Sequence, residues 1–235
     1  MSTHQPTISI IIPVLNEEKY IKDVLFSISN KSGTDRIKEI LVVDGGSTDL
    51  TVTNAQKYGA TVINSGKGRA AQMNVGAANA TGDVLYFIHV DTLPPKDFDS
   101  AILKEIDQGF EVGCFQMRFN SNSPFLKFFG WCTRINHQIC RGGDQSLFIT
   151  SKLFQQLKGF NESYVIYEDN EFIRRAYKLK PFKIISSAVT TSARRYEERG
   201  MVKLQYHFGM IHLKYYLGHS PSKLYRYYQK IYNNK

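Results

Sequence analysis

The sequence predicts an α/β protein with a mostly parallel, Rossmann-like central sheet and helices on both faces. Apolar runs of strand length alternate with segments whose apolar residues recur at helical spacing over the first 90 residues. This alternation implies right-handed crossovers between parallel strands, which bury both faces of the sheet. At 235 residues, 42% of them hydrophobic, the chain can bury one substantial core.

Four strands and three helices are predicted in the N-terminal half. The predicted strands cover residues 8–14, 37–43, 60–64 and 84–90. Asn16 is expected to cap the first helix, and Ser47 or Thr48 the second, which should reach about Tyr58. The third helix is expected over residues 69–80.

The pattern changes beyond Glu111. Strands are predicted over 112–119 and 146–150, an aromatic-rich helix over 125–140 and a polar helix over 168–178. From Met201 the chain is basic, aromatic and helical, with a break near residues 218–221. We therefore expect one compact domain over 1–200, with halves 1–95 and 96–200, and a helical extension over 201–235.

Charge and composition restrict the partners and the compartment. The net charge of +9 favours an anionic partner such as a nucleotide or a membrane surface. Nucleic acid is disfavoured because the basic residues are spread out and no recognised module is present. Three widely spaced cysteines indicate a reducing compartment, and no apolar run approaches membrane-spanning length. Since the N-terminus also lacks the features of a signal peptide, we expect a cytoplasmic protein, at most at the inner face of a membrane.

Acidic or turn-forming residues follow three of the predicted strands. They are the turn 13–17, Asp44 and Asp91. In open parallel sheets, ligands bind beyond the carboxyl ends of the strands. A binding site is therefore predicted at this edge.

Four motifs occur in a particular order. They read SIIIPVLNEE, EILVVDGGSTD, GRAAQMNVGAANATGD and VLYFIHVDT. Together they resemble the family 2 glycosyltransferases, whose nucleotide-binding fold is called GT-A, over residues 7–200. In place of the family's Asp-X-Asp, this chain has His89-Val90-Asp91, a form similar to that of a bacterial subgroup.

The resemblance implies a socket for the base and ribose of a nucleotide diphosphate sugar, such as a UDP- or GDP-sugar. Pro13, Asn16, Glu17 and Asp44 would form it, because oxygen acceptors suit a pyrimidine N–H and ribose hydroxyls. Helix capping by Asn16 and a turn role for Asp44 remain open as alternatives.

Phosphate contacts are implied for basic residues. Lys67 and Arg69 lie in a glycine-flanked loop that opens a helix, although Lys67 can equally be solvated. The segment 190–200 resembles one that covers the diphosphate. Neighbouring side chains on an extended segment face opposite ways, and we expect Arg195 rather than Arg194 to reach the phosphates.

The resemblance also implies that Asp91 binds a divalent cation, Mn²⁺ or Mg²⁺, that bridges the diphosphate. His89 would contact the nucleotide or shift the metal preference towards Mn²⁺. A histidine bonded only to backbone at the end of a strand is the alternative.

The pair Glu168-Asp169 resembles the acceptor-site motif of the family, in which the Asp is the general base. Asp144 and Gln145, after two glycines, would bond sugar hydroxyls. Charge that only stabilises a helix N-terminus is the alternative for the acidic pair.

The function implied is an inverting, metal-dependent transfer of a sugar to an acceptor hydroxyl, with a lipid-linked acceptor as one option. A sugar-phosphate nucleotidyltransferase is disfavoured, because PVLNEEKYI stands where such enzymes have a Gly-rich basic loop. A non-catalytic nucleotide-binding or membrane-docking module is the other alternative. The tail 201–235 suits an anionic membrane surface, or else packing on the core or on a second copy in a homodimer.

Overall fold

The computed structural model describes residues 5–233, and the side chains of residues 5–231. The strands are β1 Ile8–Val14, β2 Ile37–Asp44, β3 Thr61–Asn64, β4 Val84–Phe87, β5 Thr92–Leu93, β6 Val112–Phe119, β7 Leu147–Thr150 and β8 Phe182–Thr191. The α-helices are α1 Ile21–Lys31, α2 Thr51–Lys57, α3 Arg69–Asn79, α4 Phe98–Asp107, α5 Pro124–Cys132, α6 Ser151–Gln156, α7 Glu168–Leu179, α8 Arg194–Arg199, α9 Met201–Tyr216 and α10 Pro221–Asn233. Two 3₁₀ turns cover Gln138–Cys140 and Gly143–Gln145.

All eight strands form one sheet in the order β3-β2-β1-β4-β7-β6-β8-β5. The N-terminal strands β1 to β4 pair in parallel. β7 then pairs antiparallel with both β4 and β6, whereas β6 and β8 are parallel. The predicted α/β class with a mostly parallel sheet is confirmed.

The sheet has a hydrophobic core on each face. In β1, Ile8, Ile10 and Ile12 lie on one face with α1, α2 and α4, while Ile11 lies on the other with α3, α6 and α7. This alternation follows from the two-residue period of a strand. All four isoleucines are fully buried, so β1 is anchored on both sides and holds the loop after it in place.

The structure corrects several local predictions. Asn16 does not cap α1, because the helix begins at Ile21 and Tyr20 holds the N-cap position; Asn16 lies in the preceding turn with a left-handed φ of 56°. Neither Ser47 nor Thr48 caps α2, which begins at Thr51. The predicted strand 84–90 ends at Phe87, and the predicted helix 125–140 ends at Cys132.

Some elements were not predicted. The longest of them are α4 and β8, of 10 residues each. Strand β8 pairs with β6 over the whole length of β6. Its sequence, FKIISSAVTT, mixes exposed and buried positions and therefore lacks a clear strand period. None of the helices that the structure describes is long and apolar enough to cross a membrane.

Candidate active site

The parallel strands end at one edge of the sheet, as predicted. The register pairs Val14 with Asp44, so the loops after β1 and β2 begin side by side. The loop after β4 follows next to them, since β4 pairs with the other side of β1. The loops that contain the predicted strand-end residues therefore lie at this edge.

The loops after β1 and β2 brace each other. Ser47 Oγ accepts a hydrogen bond of 2.9 Å from the Asn16 backbone N–H, and Asn16 Oδ1 accepts one of 2.8 Å from the Thr48 N–H. The Asp44 carboxylate accepts from the N–H groups of Gly46, at 3.0 Å, and Ser47, at 2.9 Å. Asp44 and Asn16 therefore stabilise the conformation of these two loops at the edge of the sheet.

Gln72, on α3, is a residue that the sequence analysis missed. Its buried Nε2 donates to the carbonyl oxygens of Val14, at 2.7 Å, and Val43, at 2.8 Å. It thus ties the ends of β1 and β2 to α3. Only the packing of α3 on the sheet reveals this role, because an isolated Gln in a helix gives no signal.

The other predicted donor-socket residues lie around the same edge. Pro13 is buried within β1 opposite Val43, and Glu17 is half-buried after it. Burial raises the pKa of Glu17, and Asp91 raises it further, while nearby arginines, chiefly Arg194, oppose the change. Asp91 is itself half-buried.

His89, Asp144 and Asp169 form the centre of the site. His89 Nδ1 lies 3.5 Å from Asp144 Oδ1, and His89 Nε2 lies 3.7 Å from Asp169 Oδ2. The antiparallel pairing of β4 with β7 produces the first contact, because the end of β4 meets the start of β7. His89 thus contacts two carboxylates rather than backbone alone.

The charges in this cluster support one another. Burial works against the charged imidazole, but the two carboxylates outweigh it, and the pKa of His89 is raised. Burial also opposes ionisation of Asp144, yet His89 and nearby arginines hold the pKa of this carboxyl well below its usual range. These distances are those of ion pairs, and His89 Nδ1 makes no hydrogen bond with the residues that the structure describes.

Gly143 makes the close approach feasible. A Cβ atom at this position would lie 2.0 Å from Asp169 Oδ2 and 2.7 Å from His89 Cε1. Any side chain would therefore displace the carboxylate or the imidazole. Gly142, next to it, has open space where its Cβ would project.

Glu168 and Arg69 meet where the N-termini of α7 and α3 come together. Arg69 Nη1 lies 3.5 Å from Glu168 Oε1. Glu168 is buried, and this burial, together with the charge of Asp169, raises its pKa to about 7 although Arg69 opposes the change. The preceding Tyr167 has a left-handed φ of 71°, so the entry into α7 is strained. The predicted acidic pair thus splits, with Glu168 facing Arg69 and Asp169 facing His89.

Arg194 and Arg195 point to different places, but not for the predicted reason. The segment is the short helix α8 rather than an extended chain. The Arg194 guanidinium lies 4.6 Å from the centroid of the Tyr20 ring, whereas Arg195 lines the central cavity. Consecutive residues of an α-helix are rotated by about 100° around the helix axis, so the two arginine side chains leave α8 in different directions.

Gln145 is engaged within the protein. Its Oε1 accepts from Arg141 Nη1 at 2.7 Å, and its Nε2 donates to the Cys140 carbonyl oxygen at 2.6 Å. The buried Arg141, which the sequence analysis did not nominate, also donates to the carbonyl oxygens of Thr133 and Ile135. These bonds fix the loop before β7, and leave Asp144 as the more exposed of the two predicted sugar contacts.

A cavity of about 670 Å³ contains the cluster. Seven of the predicted residues line it: Arg69, His89, Asp144, Gln145, Glu168, Asp169 and Arg195. The others, Pro13, Asn16, Glu17, Asp44, Lys67 and Asp91, do not line it, and Lys67 is exposed in its loop. The first group contains the ionisable cluster, and the second borders the sheet edge next to it.

The extension after Gly200 forms part of the cavity wall. His212 Nδ1 and the Tyr167 hydroxyl are 2.6 Å apart, and both side chains line the cavity. The Tyr215 ring also packs on the Tyr167 ring, with centroids 4.7 Å apart. Several tail aromatics therefore pack on the core, a role that the sequence analysis had left open.

Among the side chains of residues 5–231, no three His, Cys, Asp or Glu are arranged so that they could hold a metal ion by themselves. The oxygen ligand predicted for a cation is the single carboxylate of Asp91. Mg²⁺ and Mn²⁺ in phosphate-handling sites are commonly held by one or two carboxylates, with substrate phosphates completing the coordination. The residues present fit a cation of this kind.

The chain resembles curated proteins along part of their lengths. It is 26% identical over 199 residues to the probable glycosyltransferase YdaM of Bacillus subtilis, covering 74% of this chain and 47% of that protein. It is 36% identical over 100 residues to glucosyl-3-phosphoglycerate synthase of Mycobacterium tuberculosis, covering 38% and 30%. The chain thus spans about half or less of these relatives.

Solved structures share the fold. TarS 1–349 of S. aureus in complex with UDP-GlcNAc superposes with a TM-score of 0.66 at 25% identity, covering 79% of this chain and 58% of that one. The mannosyltransferase PcManGT of Pyrobaculum calidifontis, in complex with GDP-Man and Mn²⁺, superposes with a TM-score of 0.63 at 19% identity, covering 80% and 57%. The GT-A fold expected from the motifs is confirmed.

The family model matches most of the chain. The description of that model is glycosyl transferase family 2, and the match covers residues 9–178. This range includes the strand-end loops, His89, Asp144 and the Glu168-Asp169 pair. On this match the chain belongs to the family 2 glycosyltransferases.

Proposed function

We propose that this protein transfers a sugar from a nucleotide diphosphate sugar to an acceptor hydroxyl, with inversion at the anomeric carbon and with a divalent cation. The observation that carries the proposal is the placement of Asp169 in one cavity with Arg69 and Arg195. A carboxylate that could serve as the base for the acceptor hydroxyl would thus share one cavity with two guanidinium groups that could meet a departing diphosphate. The complexes of TarS with UDP-GlcNAc and of PcManGT with GDP-Man support a nucleotide sugar as donor.

Asp169 is the proposed general base. Its carboxylate would accept the proton of the acceptor hydroxyl as that oxygen attacks the anomeric carbon. The bond from this carbon to the diphosphate oxygen breaks on the opposite face, so one displacement inverts the configuration. His89 lies 3.7 Å from the carboxylate and would position it. Asp144, on the other side of His89, would orient the ring and bond a sugar hydroxyl.

The donor would lie along the sheet edge. The braced turn with Asn16, Glu17 and Asp44 would hold the base and ribose, and Arg195 would face the diphosphate. Asp91 would hold the cation, which when bound neutralises charge on the diphosphate. The Mn²⁺ in the PcManGT complex supports a cation of this type.

Glu168 is the second acidic residue of the site. Because it is buried against Arg69, it would hold that guanidinium near the phosphates rather than meet the acceptor. The proposed transferase unit is 1–200, with halves 1–95 and 96–200, and the extension 201–235 adds part of the acceptor wall.

A panel of nucleotide sugars tests the proposal, with thermal unfolding measured with and without Mn²⁺. By mass action, a ligand at about 100 times its Kd stabilises the folded protein by about 2.7 kcal/mol. We expect one donor to raise the Tm only with the metal. NMR of the product then reports the anomeric configuration. Absence of stabilisation by every UDP- and GDP-sugar would contradict the donor assignment, and a retained configuration would contradict the single displacement.

A further inference from the structure

The wall of the active-site cavity is largely apolar. Beside the ionisable cluster it includes Phe129 on α5, Ile139 in the following loop, Val165 before α7 and Phe208 on α9. Polar side chains, among them Asn170, Gln205 and His212, line another part of the same wall. Apolar walls with a few convergent polar groups fit a ligand that is mostly hydrocarbon with a polar end.

The apolar wall continues to the surface along α5. The Phe129 ring lies 5.4 Å from the Phe128 ring, which stacks on Trp131 at 6.4 Å. Phe128 is 57% exposed and Trp131 is 53% exposed. Ile139 and Val165, both in the cavity wall, are also more than half exposed. Exposed apolar side chains thus adjoin this part of the cavity wall.

Helix α9 carries an apolar stripe past the same cavity. On α9, Val202, Tyr206 and Leu213 are 70%, 63% and 49% exposed, and Leu217, directly after the helix, is 68% exposed. Gly209 falls between Tyr206 and Leu213 on the same side of the helix and lines the cavity. The stripe is continuous with the cavity at this glycine. Exposed apolar surface of this extent is uncommon unless something covers it.

The two helices are neighbours that share an inner cluster. Leu126 of α5 and Leu204 of α9 belong to one buried group with Ala193 and Tyr196. The buried faces of α5 and α9 therefore pack within the same cluster. The exposed residues of α5 and α9 lie outside this group and contribute nothing to it.

The charge around the cavity complements an anionic surface. Residues 112–143, which include α5, contain four Lys and Arg and no Asp or Glu, and residues 200–235 contain six and none. The rest of the chain, with 20 basic and 21 acidic residues, is close to neutral. The whole positive excess of this protein thus lies on the segments that flank the cavity. Cations beside exposed aromatic and aliphatic side chains are typical of surfaces that contact anionic lipid headgroups.

We propose that the acceptor is a membrane amphiphile, taken directly from an anionic bilayer on which α5 and α9 rest. Its hydroxyl reaches Asp169, and its hydrocarbon chain leaves the cavity past Gly209 into the lipid. The transfer step rests on the proposed function: the hydroxyl proton passes to Asp169, the oxygen bonds to the anomeric carbon, and the diphosphate leaves. Membrane contact and the apolar acceptor site are independent of that step.

The single tryptophan, Trp131, reports membrane contact directly. We expect its emission to shift to the blue on phosphatidylglycerol vesicles at low salt, and brominated lipids to quench it. High salt, neutral vesicles or the double variant Lys127→Glu, Arg134→Glu should abolish the shift. The variant Tyr206→Ser, Leu213→Ser should weaken it.

The matched control is Phe26→Ser, Leu50→Ser, which removes two apolar side chains of similar exposure, 63% and 60%, away from the cavity. This control should bind vesicles like the parent protein. Emission that is unchanged by anionic vesicles, or equal losses in the control and the α9 variant, would overturn the membrane contact.

The acceptor site is tested with dodecyl β-glucoside below its micellar concentration, with methyl β-glucoside as the probe that lacks a chain. Cys132 and Cys140 line the cavity and are half-exposed, so a thiol reagent reports occupancy. At about ten times its Kd, the dodecyl probe should slow labelling about tenfold by mass action, and the methyl probe should not. Equal protection by both probes would overturn the proposal.

A pair of helix α9 variants locates the chain. A side chain at Gly209 meets open space, so Gly209→Phe should fold and should prevent protection by narrowing the cavity. Val202→Phe, on the same helix but outside the cavity wall, should leave protection intact. Protection that persists in Gly209→Phe would move the chain elsewhere. Nucleotide-sugar binding is measured in parallel: if it persists while both membrane contact and protection fail, this proposal is wrong and the proposed donor function stands.

Discussion

Replacing Gly143 by alanine should damage catalysis without unfolding the protein. The new Cβ would lie 2.0 Å from Asp169 Oδ2, and such contacts are essentially never shorter than 3.0 Å. The carboxylate must therefore move by at least about 1 Å, and His89 must also move because its Cε1 would be 2.7 Å away. The atom that must give way first is the end of a side chain, so the cost in folding should be small. A displacement of about 1 Å at a reacting group can lower the rate about 10²-fold. This corresponds to about 2.7 kcal/mol of transition-state stabilisation.

The assay compares this variant with Gly142→Ala. The neighbouring Gly142 has no atom within 4 Å of its would-be Cβ, so that variant should keep the turnover of the parent protein. Turnover is measured at saturating donor and acceptor, with Tm and donor affinity as controls for folding and for the nucleotide socket. We expect a loss of turnover in Gly143→Ala alone, with little change in the two controls.

Equal turnover in Gly143→Ala and the parent protein would refute this reasoning. It would mean that the position of the Asp169 carboxylate does not limit the reaction, and that the base lies elsewhere. Equal losses in both glycine variants would instead mean that the loop before β7 matters for a reason other than the close contact.

Three further outcomes follow from the site. Asp91→Ala should remove the Mn²⁺-dependent part of the nucleotide affinity. Its Tm should stay unchanged, since the Asp91 side chain is half-exposed after β4 and contributes little to packing. Equal metal-dependent affinity in the variant and the parent protein would contradict the cation assignment. Asp169→Asn should keep donor binding and lose about 10²-fold or more in transfer, and near-parental turnover would transfer the role of base to Glu168 or Asp144. Burial raises the pKa of Glu168 from 4.5 to about 7. Between these two pH values the folded state retains a proton that the unfolded chain has lost. The free energy of unfolding should therefore fall as the pH rises from about 4.5 to about 7. Glu168→Gln should flatten this part of the Tm profile, and parallel profiles for the two proteins would show that Glu168 does not carry the effect.

The sequence alone was sufficient to predict the N-terminal half of the fold. Strand and helix periods are local, so β1, β2, β3 and α3 are found within a residue or two of their predicted bounds. The ends of parallel strands meet at one edge of a sheet, and Asp44 and Asp91 could therefore be assigned to that edge before their surroundings were known. The ordered motifs added the family, which the match over residues 9–178 shows.

Helix ends and short loops were predicted less well. Asn is a residue type that often caps helices, but the Asn16 side chain instead accepts a hydrogen bond from the Thr48 N–H in the neighbouring loop. The segment with Arg194 and Arg195 reads as extended but folds into α8. In both cases the local sequence is compatible with more than one conformation, and the contacts with tertiary neighbours decide which conformation forms.

Only the tertiary structure decided how the N-terminal parallel strands meet the later strands. β7 lies between β4 and β6, and this non-local pairing brings Asp144 to His89. The packing of α7 beside α3 brings Glu168 to Arg69, and Gly143 allows Asp169 to approach the same imidazole. No local period encodes these contacts, because each joins residues more than 50 positions apart except the contact of Gly143 with Asp169. The sequence determined the chemistry available at the edge of the sheet, and long-range packing determined which of those groups share one cavity.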